Sequence, residues 1–418
     1  MTDSNEGPKR PHVLIVGAGI GGLTLTQLLR KRNISYEIFE RDPEPRTTGW
    51  CIALHTMLEE LQASFPDDVP SLEEADHLKP LKLPSQSVIY PSNDPDVRFG
   101  TTAAGSNDFL RCNREKLRQV LVTNVNVHMS KKCSRVEESS EGVTVHFEDG
   151  TSATGDIVVG ADGVNSIVRS HLLTSDPLEH LPLGVIGGEL SLGGRYMERQ
   201  LELGHSTYTV FLKDDAEDTN SGNFVTLFAA LERVHPDGNS ADFYWILTWR
   251  DEKAGKEDFW TKHASQQELY DFVQKATKAL NTEFRRTIDA TSVDRILGNP
   301  FPLRTLITPG LPSSRATLLG DAAHCMPPFG GQGGVQAIID ALNLAKAIGN
   351  LPGQVVAGEE IKEALSSYNE EMLQRGNDAV RKSLAVYDPN AKKFAWDRAP
   401  ETLPKENISL EKLRSGIP

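Results

Sequence analysis

Apolar residues fill every position from Val13 to Val16, directly after His12. That is the pattern of a strand covered on both faces, as in a parallel sheet. The run enters Gly17-Ala18-Gly19-Ile20-Gly21-Gly22. From Leu23 to Arg32 the period changes: Leu25, Leu28 and Leu29 fall on one helical face, and Arg30, Lys31 and Arg32 crowd the last turn, where a helix favours cations. Asn33 is the expected stop, and Ser35–Glu40 reads as a second strand. The whole is a βαβ unit of about thirty residues.

Between Pro43 and Asn107 the pattern weakens, with prolines at 43, 45, 66, 70, 80, 84, 91 and 95. Loops, a short helix near Thr56–Ala63 and a crossing into another domain are expected there. Arg114–Val122 looks helical. Val143–Gly150 alternates with period two and ends in Asp-Gly, which predicts a hairpin with Ser152–Val159. The middle of the chain is strand-rich, with β-like runs at Gly184–Leu192, Thr207–Leu212, Phe224–Leu231 and Asp242–Trp249, then an amphipathic helix over Ser265–Leu280. The buried-strand pattern returns at Arg315–Asp321, followed by a glycine-rich loop and a helix from about Gly334 to Ile348. Charged helices over Glu359–Leu384 lead to a polar end, Pro389–Pro418, expected to be loosely attached.

These elements predict an α/β protein. A Rossmann-like, discontinuous nucleotide-binding domain occupies 1–82, 106–176 and 293–350. An inserted β-sheet substrate domain takes 83–105 and 177–292, and C-terminal helices and tail take 351–418. Composition adds mostly exclusions. The 418 residues carry 44 Lys+Arg against 58 Asp+Glu, a net charge of −14, with no basic stripe, so no nucleic acid is expected as partner. No run approaches the length of a membrane span, and Val13–Leu29 is broken by four glycines. Met1–Pro11 lacks an apolar signal core, and the four cysteines form no C-x-x-C pair. A reducing cytoplasm, no membrane and no metal site are the expectation; neither HExxH nor GxSxG occurs.

Gly17-x-Gly19-x-x-Gly22 stands between predicted strand and predicted helix, the context a dinucleotide fingerprint requires. The first glycine permits the turn, the second lets backbone approach a pyrophosphate, and the third lets helix and strand pack closely. Glu40, eighteen residues past Gly22 at the end of the second strand, is placed to accept hydrogen bonds from ribose hydroxyls.

Two further segments, Gly160-Ala-Asp162-Gly163-Val-Asn-Ser166-x-x-Arg169 and Leu319-Gly320-Asp321-Ala-Ala-His324-x-x-x-Pro328, choose among dinucleotides. With the fingerprint, and in that order, they resemble the class A FAD-dependent aromatic monooxygenases, the para-hydroxybenzoate hydroxylase-like family with many fungal secondary-metabolism members. The resemblance implies FAD as cofactor, with NAD(P)H as a transient co-substrate that has no Rossmann domain of its own; no second GxGxxG appears. It implies that Asp321 bonds a ribityl hydroxyl, and that the loop carrying Pro328, Gly331, Gly333 and Gly334 runs beside the isoalloxazine. The helix start at Gly334 and Val335 would then face N1/C2=O. Members often have Asn where Val335 stands. Asp162 would touch the pyrophosphate region. Arg114, in an R-x-x-L helix, would lie over phosphate and ribose, with Arg111 one helical turn earlier as the alternative. Arg41, beside Glu40, and Gly49, in Gly49-Trp-Cys51-Ile52-Ala-Leu54, complete the cofactor set, although Cys51 replaces a glycine there. Cys51 and Cys325 are expected to be packed thiols, and His324 to pack or hydrogen-bond at a helix start.

The resemblance also implies the reaction: O2 and NAD(P)H, through a C4a-hydroperoxyflavin, hydroxylate or epoxidise an organic molecule. Baeyer–Villiger oxygenation, or a flavin dehydrogenase or reductase without oxygen insertion, are the alternatives. A nucleotide-binding module without catalysis is more remote. In Phe243–Arg250, alternation puts Phe243, Trp245, Leu247 and Trp249 on one face and Tyr244, Ile246, Thr248 and Arg250 on the other. One face is expected to line a cavity, the other to be core. Arg195, Tyr196, Tyr208, Tyr244 and Arg250 are available to catalysis, but no motif singles one out. The aromatic content favours a bulky, largely apolar small-molecule substrate (aromatic, polyketide, terpenoid or alkaloid), handled by a monomer or weak homodimer.

Overall fold

Val13–Val16 is the middle strand of a five-stranded sheet ordered Ala316–Leu318, Ile157–Gly160, Val13–Val16, Tyr36–Phe39, Val127–His128, every pair of it parallel. The computed structural model describes residues 11–45, 50–55, 57–104, 109–212, 225–298, 302–352, 358–386 and 401–414. Helices Ile20–Lys31 and Gly333–Gly349 pack on each other and share one apolar core with this sheet. The α/β, Rossmann-like expectation holds.

The first helix starts at Ile20, three residues before the expected Leu23, with Gly19 as its N-cap. The reason is steric. A Cβ on Gly22 would stand 2.1 Å from the Gly17 carbonyl oxygen, so only glycine lets the helix begin this close to the strand. Asn33 takes a left-handed φ of 54° just past the helix end. The expected strand Ser152–Val159 is two strands. Ser152–Gly155 pairs with Val143–Phe147, whereas Ile157–Gly160 joins the parallel sheet. Asp156 turns the chain between them, its carboxylate accepting from the His12 amide at 2.7 Å. A third antiparallel strand, Cys133–Glu138, has no counterpart in the expectation. A bulge between Cys133 and Arg135 puts its two buried residues, Cys133 and Val136, three apart and hides the period of two.

The second layer is a seven-stranded sheet ordered Leu183–Gly193, Ser240–Arg250, Val225–Val234, Thr207–Leu212, Gln86–Tyr90, Phe99–Thr102, Glu401–Thr402. Phe243, Trp245, Leu247 and Trp249 lie in its core beside Leu269, Val273, Phe284 and Ile288 of the helices Gln266–Ala276 and Thr282–Asp289. Ser265 begins the first of these helices with a capping box; the single helix expected over Ser265–Leu280 stops at Ala276, and a second one, capped by Asn281, succeeds it.

The polar end is not loosely attached where it is described. Glu401–Thr402 pairs with Phe99–Gly100, and Ile408 and Leu410 enter the second core. Glu406 accepts from Gln86 Nε2 and lies 3.2 Å from His205 Nε2, and the Leu410 amide donates to Glu198. A few apolar residues spread through a polar-rich segment give no periodic signal, yet they suffice to anchor it. Before it, the 28-residue helix Gly358–Ala385 braces the parallel sheet through Tyr368, whose hydroxyl donates to the Leu318 carbonyl. Among the described residues no helix is long and apolar enough to cross a membrane.

Candidate active site

In a parallel sheet all strand C-termini lie on one edge, and ligands bind in the crevice beyond it. Here four neighbouring strands each deliver a motif to that edge. Val13–Val16 leads to Gly17, Tyr36–Phe39 to Glu40, Ile157–Gly160 to Asp162-Gly163, and Ala316–Leu318 to Gly320-Asp321. They wall one end of a cavity of about 1610 Å³. A single drug-sized ligand needs roughly 300–1,000 Å³. The cavity therefore has room for two molecules.

Gly17 has φ +110°, and a Cβ on it would sit 2.3 Å from the Ala161 carbonyl oxygen; a Cβ on Gly19 would meet nothing within 4 Å. The open space above Gly19 is where backbone can approach a ligand. Glu40 is fixed by two backbone amides, Ala18 N at 2.9 Å and Asp42 N at 3.1 Å, and lines the cavity with Arg41. Asp162 caps the helix Ile167–Leu172 with one carboxylate oxygen, which accepts from the Ile167 amide at 2.8 Å. The other, Oδ1, is buried without a partner, and burial pushes the carboxyl up. Arg114 begins its helix after Asn113, which caps it, and its Nε is likewise buried without a partner. Asp321 opens onto the cavity deep within the molecule. The surrounding protein pushes its carboxyl up, and the charges of His324, Arg114 and Arg304 pull it back.

Pro328, Gly331, Gly333 and Gly334 line the same wall. The first hydrogen bond of helix Gly333–Gly349 is Gln336 N to Gln332 O, which leaves the amides of Gly333, Gly334 and Val335 without acceptors inside the helix. Two expected residues are not on the wall. Val335 is buried, its side chain packed into the core of the parallel sheet, so only its amide remains at the helix start. Gly22 lies beneath the turn, where its lack of a side chain keeps helix and strand together. Gly49 lies outside the described residues.

His324 is held behind the wall through one ring nitrogen, its Nδ1 being buried without a partner. Its Nε2 lies 2.8 Å from Asp340 Oδ2, which also accepts from the Gly320 amide at 2.7 Å, while Arg375 binds Asp340 Oδ1 at 2.9 Å. Burial alone would raise the Asp340 carboxyl and lower the His324 imidazole, but their charges reverse both shifts. The group thereby pins the left-handed Gly320 that aims Asp321. Cys51, Cys112, Cys133 and Cys325 are all buried, and burial pushes each thiol up, with Cys133 and Cys325 at about 12.

The other end of the cavity is made by the seven-stranded sheet. Tyr244, Ile246 and Thr248 are the face that lines it, and Thr207, Thr209, Thr226 and Phe228 extend the wall. Tyr244 is stacked on Trp50 with centroids 4.8 Å apart and 5° between planes. Arg111 is not one helical turn before Arg114. It lies on a strand, Phe109–Cys112, opposite Ala53, so its side chain reaches the sheet end rather than the strand-end crevice: Nη2 donates to the Tyr244 hydroxyl at 2.6 Å. Of the residues weighed for catalysis, only Tyr244 lines the cavity; Tyr208 is core and Tyr196 faces outward. Among the described residues no cluster could hold a metal ion.

The orphaned Asp162 Oδ1 and Arg114 Nε, the open space over Gly19, and the unbonded amides at Gly333 and Gly334 fit a dinucleotide with a further ring system. Comparison with known proteins decides which. The profile of the family described as "FAD binding domain" matches residues 96–383, and that of an NAD(P)-binding Rossmann-like domain matches 15–53. The FAD-dependent monooxygenase thnD of Trichoderma harzianum is 44% identical over 380 residues, covering 89% of this chain and 92% of its own. This chain belongs to the FAD-dependent monooxygenases. The solved 2,6-dihydroxypyridine-3-hydroxylase of Arthrobacter nicotinovorans shares the monooxygenase's fold at TM-score 0.70 with 18% identity, covering 96% of this chain and 99% of the other. HpxO of Klebsiella pneumoniae, solved with FAD and uric acid, superposes at TM-score 0.65 with 20% identity, covering 89% and 86%. The monooxygenase's cofactor is FAD, and the class A expectation stands.

Proposed function

We propose that this monooxygenase uses NAD(P)H and O2 to hydroxylate a secondary metabolite held against the Tyr244–Thr248 face, with the FAD along the strand-end wall. The observation that carries the reading is the continuity of one cavity from Gly17 to Tyr244. Glu40, held by the Ala18 and Asp42 amides, would accept from the adenosine ribose. Arg114 would offset phosphate charge, and the cavity-facing carboxyl of Asp321 would take a ribityl hydroxyl. The free amides at Gly333, Gly334 and Val335, with the helix dipole behind them, would favour negative charge on the ring nearest them. When bound, FAD would supply the redox chemistry, with NAD(P)H as reductant, one atom of O2 going to the substrate and the other leaving as water.

What the chain itself contributes is exclusion and orientation. Phe228, Trp50 and Tyr244 line the inner end with packed rings that would exclude bulk water once a substrate is seated. The threonine row offers hydroxyls that fix a polar substrate edge without charging it. A cytoplasmic site of action and a monomeric or weakly dimeric state accompany this reading. The purified protein should be yellow, and with extracts of a producing strain it should consume O2 and NAD(P)H while yielding a product 16 Da heavier. Equal turnover under strict anaerobiosis would overturn it in favour of a dehydrogenase.

A further inference from the structure

Among the described residues His55 is the one histidine on the cavity wall. It ends the strand Ile52–His55, opposite Phe109. The strand lies against the start of helix Gly333–Gly349, where a Cβ on Gly334 would stand 3.2 Å from Ile52 Cδ1. His55 meets a different kind of neighbour from other histidines of the chain. Nε2 of His205 faces a carboxylate oxygen of Glu406, and Nε2 of His324 one of Asp340. Nε2 of His55 instead lies 3.3 Å from the side-chain nitrogen of Gln332.

The direction of that hydrogen bond is set three residues away, at Arg375. Its guanidinium is anchored by Asp340 Oδ1 at 2.9 Å and by Glu371 at 2.7 Å, and it has donors only. Its Nη1 reaches Gln336 at 2.5 Å, so the oxygen of the Gln336 amide faces the arginine and the nitrogen faces away. That nitrogen donates to Gln332 Oε1 at 3.2 Å. The Gln332 amide is oriented in turn, and its nitrogen is the group presented to His55.

An amide nitrogen gives a proton and accepts none. His55 Nε2 must therefore offer a lone pair, and the ring proton stands on Nδ1. A proton on Nε2, in the other tautomer or in the imidazolium, would set N–H against N–H. The charged groups near this stretch of wall are Arg375, Asp378 and Lys382 of helix Gly358–Ala385, and Arg111 on the strand paired with Ile52–His55. Gln332 and Gln336, which connect His55 to the first of these, are neutral.

We propose that Arg375, Gln336 and Gln332 are positioning residues that hold His55 as its neutral Nδ1–H tautomer. The cavity's imidazole then serves as a fixed dipole beside the helix start, and neither gives nor takes a proton during turnover. The role in turnover rests on the cavity being the place of reaction; the tautomer does not. The same chain ties the ring to the buried group behind Gly320, so one anchor, Asp340, orients features on two parts of the wall.

The test is 15N NMR of the FAD-loaded enzyme with labelled histidine, His55 being assigned by its loss in His55→Asn. In the native protein Nδ1 should appear protonated and Nε2 unprotonated, with the Nδ1–H form favoured at least about tenfold, the worth of one hydrogen bond together with the avoided clash. Gln332→Glu keeps the shape but replaces the donor with an acceptor, and should move the proton to Nε2. Gln336→Leu frees the Gln332 amide to turn and should give a mixture of tautomers. Asparagine carries an amide near the position of Nδ1, so His55→Asn should leave the shape of kcat against pH unchanged. A protonated Nε2 in the native enzyme, His55 signals unmoved by Gln332→Glu, or a limb of the pH profile lost in His55→Asn overturns the proposal. The native spectrum decides alone if a variant does not fold. Flavin content and NAD(P)H oxidation are measured in the same samples. Their absence from the native enzyme sinks the monooxygenase reading, whereas a protonated Nε2 in an active, yellow enzyme sinks only the relay.

Discussion

The two ends of the cavity are built by different means. At the end proposed for the cofactor, four parallel strands finish on one edge; three give way to a glycine at positive φ, Gly17, Gly163 and Gly320, the fourth leads to Glu40, and beyond them lie the unbonded amides of Gly333 and Gly334. At the substrate end the wall is side chains alone, one from every second position of antiparallel strands, as in Thr207 and Thr209 or Tyr244, Ile246 and Thr248. The first construction tolerates few residue types at each point. The second tolerates any residue that fills a half-exposed sheet face. On the proposed placement, the cofactor constrains mainly the main chain, together with a few side chains at strand ends, whereas the substrate constrains only what hangs from the sheet.

The sharpest way to break this contrast is Gly17→Val. A side chain there meets the Ala161 carbonyl at 2.3 Å with φ at +110°, and soluble, flavin-loaded protein should be lost altogether, as measured by yield and absorbance near 450 nm. Next in size is Asp340→Asn, which leaves His324 and Arg375 without their shared carboxylate and should cost about 3–5 kcal/mol of stability. This loss has a pH signature. The Asp340 carboxyl is held below its ordinary 3.8, so its contribution is present above that pH and lost as pH falls through the depressed value. His324 is raised above 6.5, so its contribution is complete below 6.5 and is lost as pH rises through the raised value. Denaturant melts should therefore show the largest gap between native and variant protein from pH 3.8 to 6.5, narrowing on both sides.

The legibility of the two ends reflects the same contrast. The Gly17 fingerprint, Glu40, Asp162 and Asp321 are readable because each sits at a fixed offset from an apolar run. Arg111 is readable only as a cation near a helix. Nothing local marks Phe109–Cys112 as a strand, since its partner Ile52–His55 lies more than fifty residues away and the pairing alone swings Arg111 toward Tyr244. The docked tail is hidden for a similar reason, its contacts with Gln86, Glu198 and His205 being remote in sequence.

Smaller effects sharpen the contrast. Asp321→Ala should retain the fold but lower FAD affinity by roughly ten- to a hundred-fold, the worth of about 1.5–3 kcal/mol for a hydrogen bond to a charged group, with flavin content after gel filtration as the measure. Thr248→Val, on the other wall, keeps shape and removes one hydroxyl. It should leave flavin content unchanged and raise KM by no more than about fivefold, about 1 kcal/mol, without loss of kcat. A flavin content that falls with Thr248→Val would show that the two ends are not separable.

The two-residue pairing of Glu401–Thr402 along Phe99–Gly100 means that the outermost row of the seven-stranded sheet is partly closed by the chain's own end. Clipping at residue 400 would bare main-chain donors and acceptors on a strand flanked by the apolar patch that Ile408 and Leu410 now cover. Preparations nicked by proteases during purification should accordingly self-associate and precipitate while still yellow, so that handling losses betray the missing end before any assay does.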